Sequence, residues 1–176
     1  MNLYQRGSRL LSIDPGLRGC GVAYFYEGVL KHALYVANPV ISGRGYFAHA
    51  AMASAVHEKF HPADMHIVKV VIEHPTIYPG SAQQKGDPND LIDVACVGSA
   101  LGAYYKDCGL ETVFPMEWKG QTPKEIMNER CRLALSDDER KRIDECSAHL
   151  RHNVMDGIGI GLYKLSRVNR RKFNNE

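Results

Sequence analysis

The order of elements written in this 176-residue sequence predicts an α/β fold. A mixed five-stranded sheet is expected, with helices on both faces. Two observations carry the prediction. Three short apolar segments near the N-terminus are joined by tight turns, which reads as an antiparallel meander. The next two apolar, β-branched segments are each preceded by a helical stretch, which reads as parallel crossovers.

The meander comprises Arg9 to Asp14, Gly21 to Tyr26 and Leu30 to Val36, with Glu27-Gly28 turning between the last two. An Ala-rich helix is expected from Tyr46 to Phe60, stopped by Pro62. His66 to Glu73 is the fourth strand, and Pro75 to Pro88, rich in Gly and polar residues, reads as a loop. A second helix covers Asn89 to Tyr105, with Asn89 or Asp90 as N-cap. Glu111 to Phe114 is the fifth strand, and Pro115 to Lys119 a loop or short turn. Pro123 suits the first position of a helix reaching about Leu135. Ser136-Asp-Asp-Glu139 has the spacing of a capping box that opens a further short helix. The last helix runs from about Ser147 to Leu165. No repeat or linker interrupts the chain, so a single domain over 1–176 is expected, with a basic tail over about 167–176.

Composition narrows the class. The hydrophobic fraction is 44% and the charged fraction 24%, ordinary for a globular protein. No apolar run is long enough for a bilayer, and Met1 to Ser8 does not read as a secretory signal. The five cysteines are odd in number, scattered and without a Cys-x-x-Cys pair. Free thiols in a reducing cytoplasm, no zinc knuckle, no membrane and no organic cofactor are therefore expected. The formal net charge of +2 does not mark a nucleic-acid binder. The tail Arg167 to Lys172 concentrates four cations that suit phosphates, or simply a solvated terminus.

Two predicted core strands end in a carboxylate, Asp14 and Glu73. If strands one and four are neighbours, these acids share one end of the sheet. Asp156 is the third acid, on the last helix in His152-Asn-Val-Met-Asp-Gly-Ile-Gly-Ile-Gly161. Three glycines within five residues cost about 1 kcal/mol each relative to alanine in a helix. Close approach of that helix to the sheet would justify them and would carry Asp156 to the strand ends. Converging carboxylates repel one another, and hard divalent cations relieve the repulsion. Two such ions can activate water and stabilise a leaving oxygen in phosphodiester cleavage. Singly, each acid has a plain alternative: a turn residue before Pro-Gly, a solvated strand end, a wet helix face.

Ile13-Asp-Pro-Gly16 followed by Gly21-Val-Ala23, Val71-Ile-Glu73, the Asp156 helix and Pro115-Met-Glu-Trp-Lys119 together resemble the RuvC-type Holliday junction resolvases. Those enzymes belong to the ribonuclease H-like nuclease superfamily. The resemblance covers most of the chain. It implies a ribonuclease H-like fold, a homodimer, and hydrolysis dependent on Mg²⁺ or Mn²⁺, with two ions per site. It implies a four-way DNA junction as substrate, cut by paired phosphodiester hydrolysis during recombination and repair. Asp14, Glu73 and Asp156 match the family's metal ligands. A fourth ligand is expected three residues before the last acid, where this chain has Asn153. His152, one turn before Asp156, is preferred here because a neutral imidazole binds metals or positions water. The family's junction-wedging aromatic falls on Thr76, so Tyr78 is the candidate for that role. Lys119 or Lys124 is expected to meet the scissile phosphate. Lys85, Arg170, Arg171 and Lys172 are further candidates for DNA contact, and Trp118 either belongs to this segment's function or anchors it in the core.

Competing readings are written in the same sequence. Within the nuclease class, other branched DNA or RNA–DNA hybrids are alternative substrates. His57-Glu58-Lys-Phe-His61 has the spacing of a zinc hydrolase helix. Pro62 ends that helix at once, however, and Asp64 and His66 do not continue the pattern. Asp-x-Gly also opens the ATP-binding fold of sugar kinases and actin, for which 176 residues is too short. A nucleic-acid-binding module without activity is the remaining class, against which the retention of all three acids argues.

Overall fold

The computed structural model describes residues 8–77, 87–144 and 146–168. Tyr78, Lys85, Arg170, Arg171 and Lys172 lie outside the described residues. Five strands form one sheet: β1 (Arg9–Asp14), β2 (Gly19–Tyr26), β3 (Val29–Ala37), β4 (Lys69–Glu73) and β5 (Gly109–Val113). Their spatial order is β3-β2-β1-β4-β5. β1, β2 and β3 pair antiparallel, while β4 pairs parallel to both β1 and β5. The expected meander with parallel crossovers is therefore present.

Strand alternation splits the core into two layers. Leu11, Ile13, Val70 and Ile72 face α1 (Tyr46–Lys59) and α3 (Pro88–Tyr104), contributing to a core with Met52, Val56, Val97 and Leu101. Leu10, Phe25 and Val71 face the other way, against Ile158 and Leu162 of α7 (Arg151–Lys164). Met127 and Cys131 of α5 (Lys124–Leu133) and Ile143 of α6 (Asp137–Asp144) complete that second core. Two four-residue helices, α2 (Pro62–Met65) and α4 (Pro115–Trp118), serve as connectors. The five cysteines are free thiols, and no described helix is long and apolar enough to cross a membrane.

Several boundaries depart from expectation for local reasons. His66 adopts a left-handed backbone (φ 51°) after α2, so strand pairing begins only at Lys69. Pro62 does not merely stop α1; it opens α2. Asp87, rather than Asn89 or Asp90, caps α3, accepting the Asn89 N–H at 2.9 Å. Pro123 is the N-cap of α5, one residue outside the helix. A 3₁₀ turn, Ala148–Leu150, occupies the expected start of the last helix.

The capping box forms as read: Ser136 N–H donates to Glu139 at 2.8 Å, and Glu139 N–H donates back to Ser136 Oγ at 3.3 Å. Glu139 also accepts from Leu30 N–H at 2.7 Å and from both terminal nitrogens of Arg167, at 2.7 and 2.8 Å. These donors outweigh the burial that opposes its charge and pull its carboxyl down to about 2. Arg167 is thus a structural clasp between α6, β3 and the end of α7, and not part of a phosphate-gripping tail.

Gly157 and Gly161 of α7 have the expected purpose, whereas Gly159 makes room for the Trp118 ring. A Cβ on Gly157 would lie 2.6 Å from the Gly21 carbonyl oxygen, and one on Gly21 would lie 1.9 Å from that of Asn153. A Cβ on Gly161 would strike the Phe25 ring and Ser12 Oγ. Ser12 Oγ donates to the Gly157 carbonyl at 2.8 Å, joining helix and sheet inside the core. Alanine at 157 would gain about 1 kcal/mol of helix propensity. It would also meet backbone atoms of Gly21 and Val22, which cannot yield without parting α7 from β2. Gly157→Ala is expected to cost a net of about 1–3 kcal/mol, read as a lower urea midpoint at unchanged slope.

Candidate active site

The β1–β4 pairing decides where the first two acids go. Ile13 is opposite Ile72, so Asp14 and Glu73 follow side by side at the ends of neighbouring parallel strands. Alternation puts both on the α7 side, in line with Leu10 and Ser12 on one strand and Val71 on the other. The seating of α7 on glycine backbone brings Asp156 to the same place. The three acids act on each other electrostatically, Asp14 feeling both Glu73 and Asp156.

Asp14 is half-buried, while Glu73 and Asp156 are 9% and 8% exposed. Lys124 Nζ lies 2.7 Å from Asp156 Oδ2. Lys119 Nζ lies 3.5 Å from Glu73 Oε2 and 4.8 Å above the Trp118 ring. Trp118 is 1% exposed, and its indole N–H donates to Glu73 Oε2. The single tryptophan therefore both anchors α4 in the core and orients an acid. That double role escaped the sequence, because it requires the end of β4 to stand against α4.

Asp14 is different. Among the described residues its carboxylate has neither a hydrogen bond nor an ion pair. Desolvation, then repulsion from Glu73 and Asp156, raises its pKa well above the ordinary value against the more distant pull of Lys119 and Lys124. Burial also raises the Glu73 pKa, in spite of Lys119 and the Trp118 indole. Burial works against the Lys119 charge, but Glu73, Asp156 and Asp14 outweigh it and raise its pKa.

Two clefts flank Asp156 and Asp14. One, of about 230 Å³, is lined by Lys119, Gly120, Gln121, Thr122, Lys124, Met127 and Asp156. The other, of about 400 Å³, runs along the Asp14–Gly19 loop to Tyr35 and Asn153. Asn153 thus shares a cleft with Asp14, whereas His152 is exposed and does not line it. The carbonyl of Asn153 rests on Gly21, so position 153 lies against the sheet and His152 lies outside this cleft.

Thr76 lies beyond β4 in a segment without regular structure. The His57-x-x-x-His61 spacing does not lie on one helix, since α1 ends at Lys59, yet the two ring centroids lie 4.9 Å apart. His57 is half-buried and packs against Tyr104 and Tyr105, with ring centroids 4.8 and 5.7 Å away. Glu58 accepts from Ser54 at 3.2 Å, and His61 lies 3.6 Å from Asp64. Both histidines thus sit in an aromatic cluster with Tyr104 and Tyr105.

Among the described residues no three His, Cys, Asp or Glu side chains form a ready-made metal cage. The donor chemistry nevertheless suits a hard divalent cation: three carboxylates at one sheet end, one without a counter-charge.

No protein-family model and no curated protein sequence matches this chain. Solved structures do. Thermus thermophilus RuvC in complex with a Holliday junction substrate aligns with a TM-score of 0.61 at 17% identity, over 93% of this chain and 97% of that one. This chain has the RuvC-type, ribonuclease H-like fold. A second Thermus thermophilus RuvC structure gives 0.59 at 18% identity, covering 90% and 95% of the two chains. Ydc2, the yeast mitochondrial Holliday junction resolvase, gives 0.58 at 10% identity, covering 93% and 83%.

The uncompensated acid has a consequence for stability. A raised pKa means that the native state holds the Asp14 proton more tightly than the unfolded chain does. The penalty for ionising it is absent below the ordinary carboxylate range and grows as pH rises through that range. It is complete only above the native pKa. Metal-free Asp14→Asn is therefore expected to melt higher than wild type at neutral pH, with the gap closing toward pH ~4. Each kcal/mol recovered corresponds to about 2–4 °C at this length, and melting curves in EDTA across that range check it.

Proposed function

We propose that this protein is a metal-dependent endonuclease that resolves four-way DNA junctions by paired phosphodiester hydrolysis. The observation that carries the reading is the convergence of Asp14, Glu73 and Asp156, from two parallel strands and a glycine-seated helix, in a fold shared with junction resolvases. Asp14, Glu73 and Asp156 would hold Mg²⁺ or Mn²⁺, with Asn153 beside them. When bound, the cations supply an activated water and stabilise the leaving oxygen. Lys119 and Lys124 face the cleft that also holds Asp156, so a phosphate entering there meets two ammonium groups already in place. Their pairing with Glu73 and Asp156 fixes them before the substrate arrives, which spares reorganisation when charge develops. A twofold dimer suits two coordinated cuts on one junction.

Incubation of a synthetic four-way junction with the protein and Mg²⁺ or Mn²⁺ tests the reading. Paired symmetric nicks are expected, and Asp14→Asn should lose more than the 10–100-fold typical of groups that only support a metal ligand. Equal cutting of linear duplex or of RNA–DNA hybrid would move the assignment elsewhere among ribonuclease H-like nucleases. Normal cutting by Asp14→Asn would remove the acid-cluster site altogether.

Metal binding has an independent readout. Trp118 is the single tryptophan, and its N–H is on Glu73. Mg²⁺ titration is expected to change its fluorescence saturably in wild type and much less in Glu73→Gln. An unchanged signal in both would argue against Glu73 as a ligand.

A further inference from the structure

The cleft on the Asp14 side contains a cation that the site described above does not use. Arg18 is exposed and lines this cleft with Asp14, Tyr35 and Asn153. Among the described residues its guanidinium has no ion pair and no hydrogen bond. Lys119 and Lys124, by contrast, are both engaged by acids.

The backbone that presents Arg18 is held rigidly. Asn38 N–H donates to the Arg18 carbonyl at 2.9 Å, and Asn38 Nδ2 donates to the Leu17 carbonyl at 2.9 Å. The same amide lies 3.3 Å from the Ala48 carbonyl, tying the loop to α1. Gly43, at φ 64°, sits so close that a Cβ would lie 2.4 Å from the Leu17 oxygen. Across the cleft, the Tyr35 ring lies where a side chain at Gly19 would go, 2.5 Å from its hydroxyl oxygen to such a Cβ. The cleft thus offers a guanidinium, a phenol and a carboxamide, all able to donate to an anion. An Asp14 carboxylate at one end excludes a free anion there unless a cation intervenes. The donors therefore suit an anion that is part of a longer chain and lies away from the cutting point.

We propose that Arg18, assisted by Tyr35 and Asn153, grips a backbone phosphate of the strand being cut, on the Asp14 side of the acid cluster. The inference rests on the nuclease reading and adds a direction to it. The strand enters past Lys119 and Lys124, crosses the acids, and leaves over the Asp14–Gly19 loop. Binding there is to phosphate, so it carries no base preference.

Binding of a fluorescent four-way junction in EDTA, at several salt concentrations, tests this for wild type, Arg18→Gln, Arg18→Lys and Tyr35→Phe. Arg18→Gln is expected to bind about tenfold more weakly and to reduce the salt slope by about one. Arg18→Lys should recover most of the slope, and Tyr35→Phe should show a smaller loss of affinity. In cleavage with Mg²⁺, Arg18→Gln should raise KM while leaving kcat within a few-fold, with an unchanged melting temperature. If wild type cuts junctions and Arg18→Gln matches its affinity and slope, the proposal is overturned and the nuclease reading stands. If wild type neither binds nor cuts junctions, both fall together.

Discussion

Everything at the candidate site depends on how closely α7 can lie on the sheet. Interaxial distances set by ordinary side chains would hold its backbone away from β2. Here Gly21 on the strand and Gly157 on the helix let peptide groups meet directly, and Gly161 makes room for the Phe25 ring. The Ser12 hydroxyl then reaches the Gly157 carbonyl across the contact. Asp156 immediately precedes Gly157, so the contact that holds the helix also sets the position of the third acid. The loss of helix propensity at Gly157 and Gly161 is offset by this contact, and that of Gly159 by room for the Trp118 ring, so cost and compensation fall beside the acids.

The second constraint is electrostatic. Three carboxylates brought together on the inner face of a sheet repel one another and lose hydration. Two of them are compensated by neighbours from other elements. Lys119 and Trp118, from the α4 segment, attend Glu73; Lys124, from the start of α5, attends Asp156. Since α4 and α5 are joined through the short Gly120–Pro123 connection, one stretch of chain supplies both lysines and the wall of one cleft. This stretch shapes the charge balance of the site without carrying an acid of the cluster.

Much of this was legible in the sequence, for identifiable reasons. Apolar β-branched runs ending in Asp14 and Glu73 marked the strands and their termini. The two-residue period then placed both acids on one face once β1 and β4 were neighbours. The glycines after Asp156 announced a close approach. The short-range capping box at Ser136 and Glu139 was readable because its partners are three residues apart. What escaped notice was long-range. Glu139 also clasps Arg167, 28 positions away, which takes that arginine out of the basic tail. The placement of Asn153 in the Asp14 cleft and of His152 outside it depended on helix phase against the sheet, which residue chemistry alone does not reveal.

Asp14 remains the exception in the charge balance. With Glu73 and Asp156 engaged by Lys119 and Lys124, the described site has three acids and two paired cations. The unmatched charge falls on the one residue fixed by the central strand β1, between β2 and β4. Its backbone is paired with Gly21 of β2, and the ladder to β4 ends one residue before it at Ile13 and Ile72. Desolvation and the neighbouring acids make it costly to ionise, which a cation, or a substrate that brings one, would relieve. The fold thus places its least compensated charge at the end of its central strand, beside the two acids whose repulsion it feels.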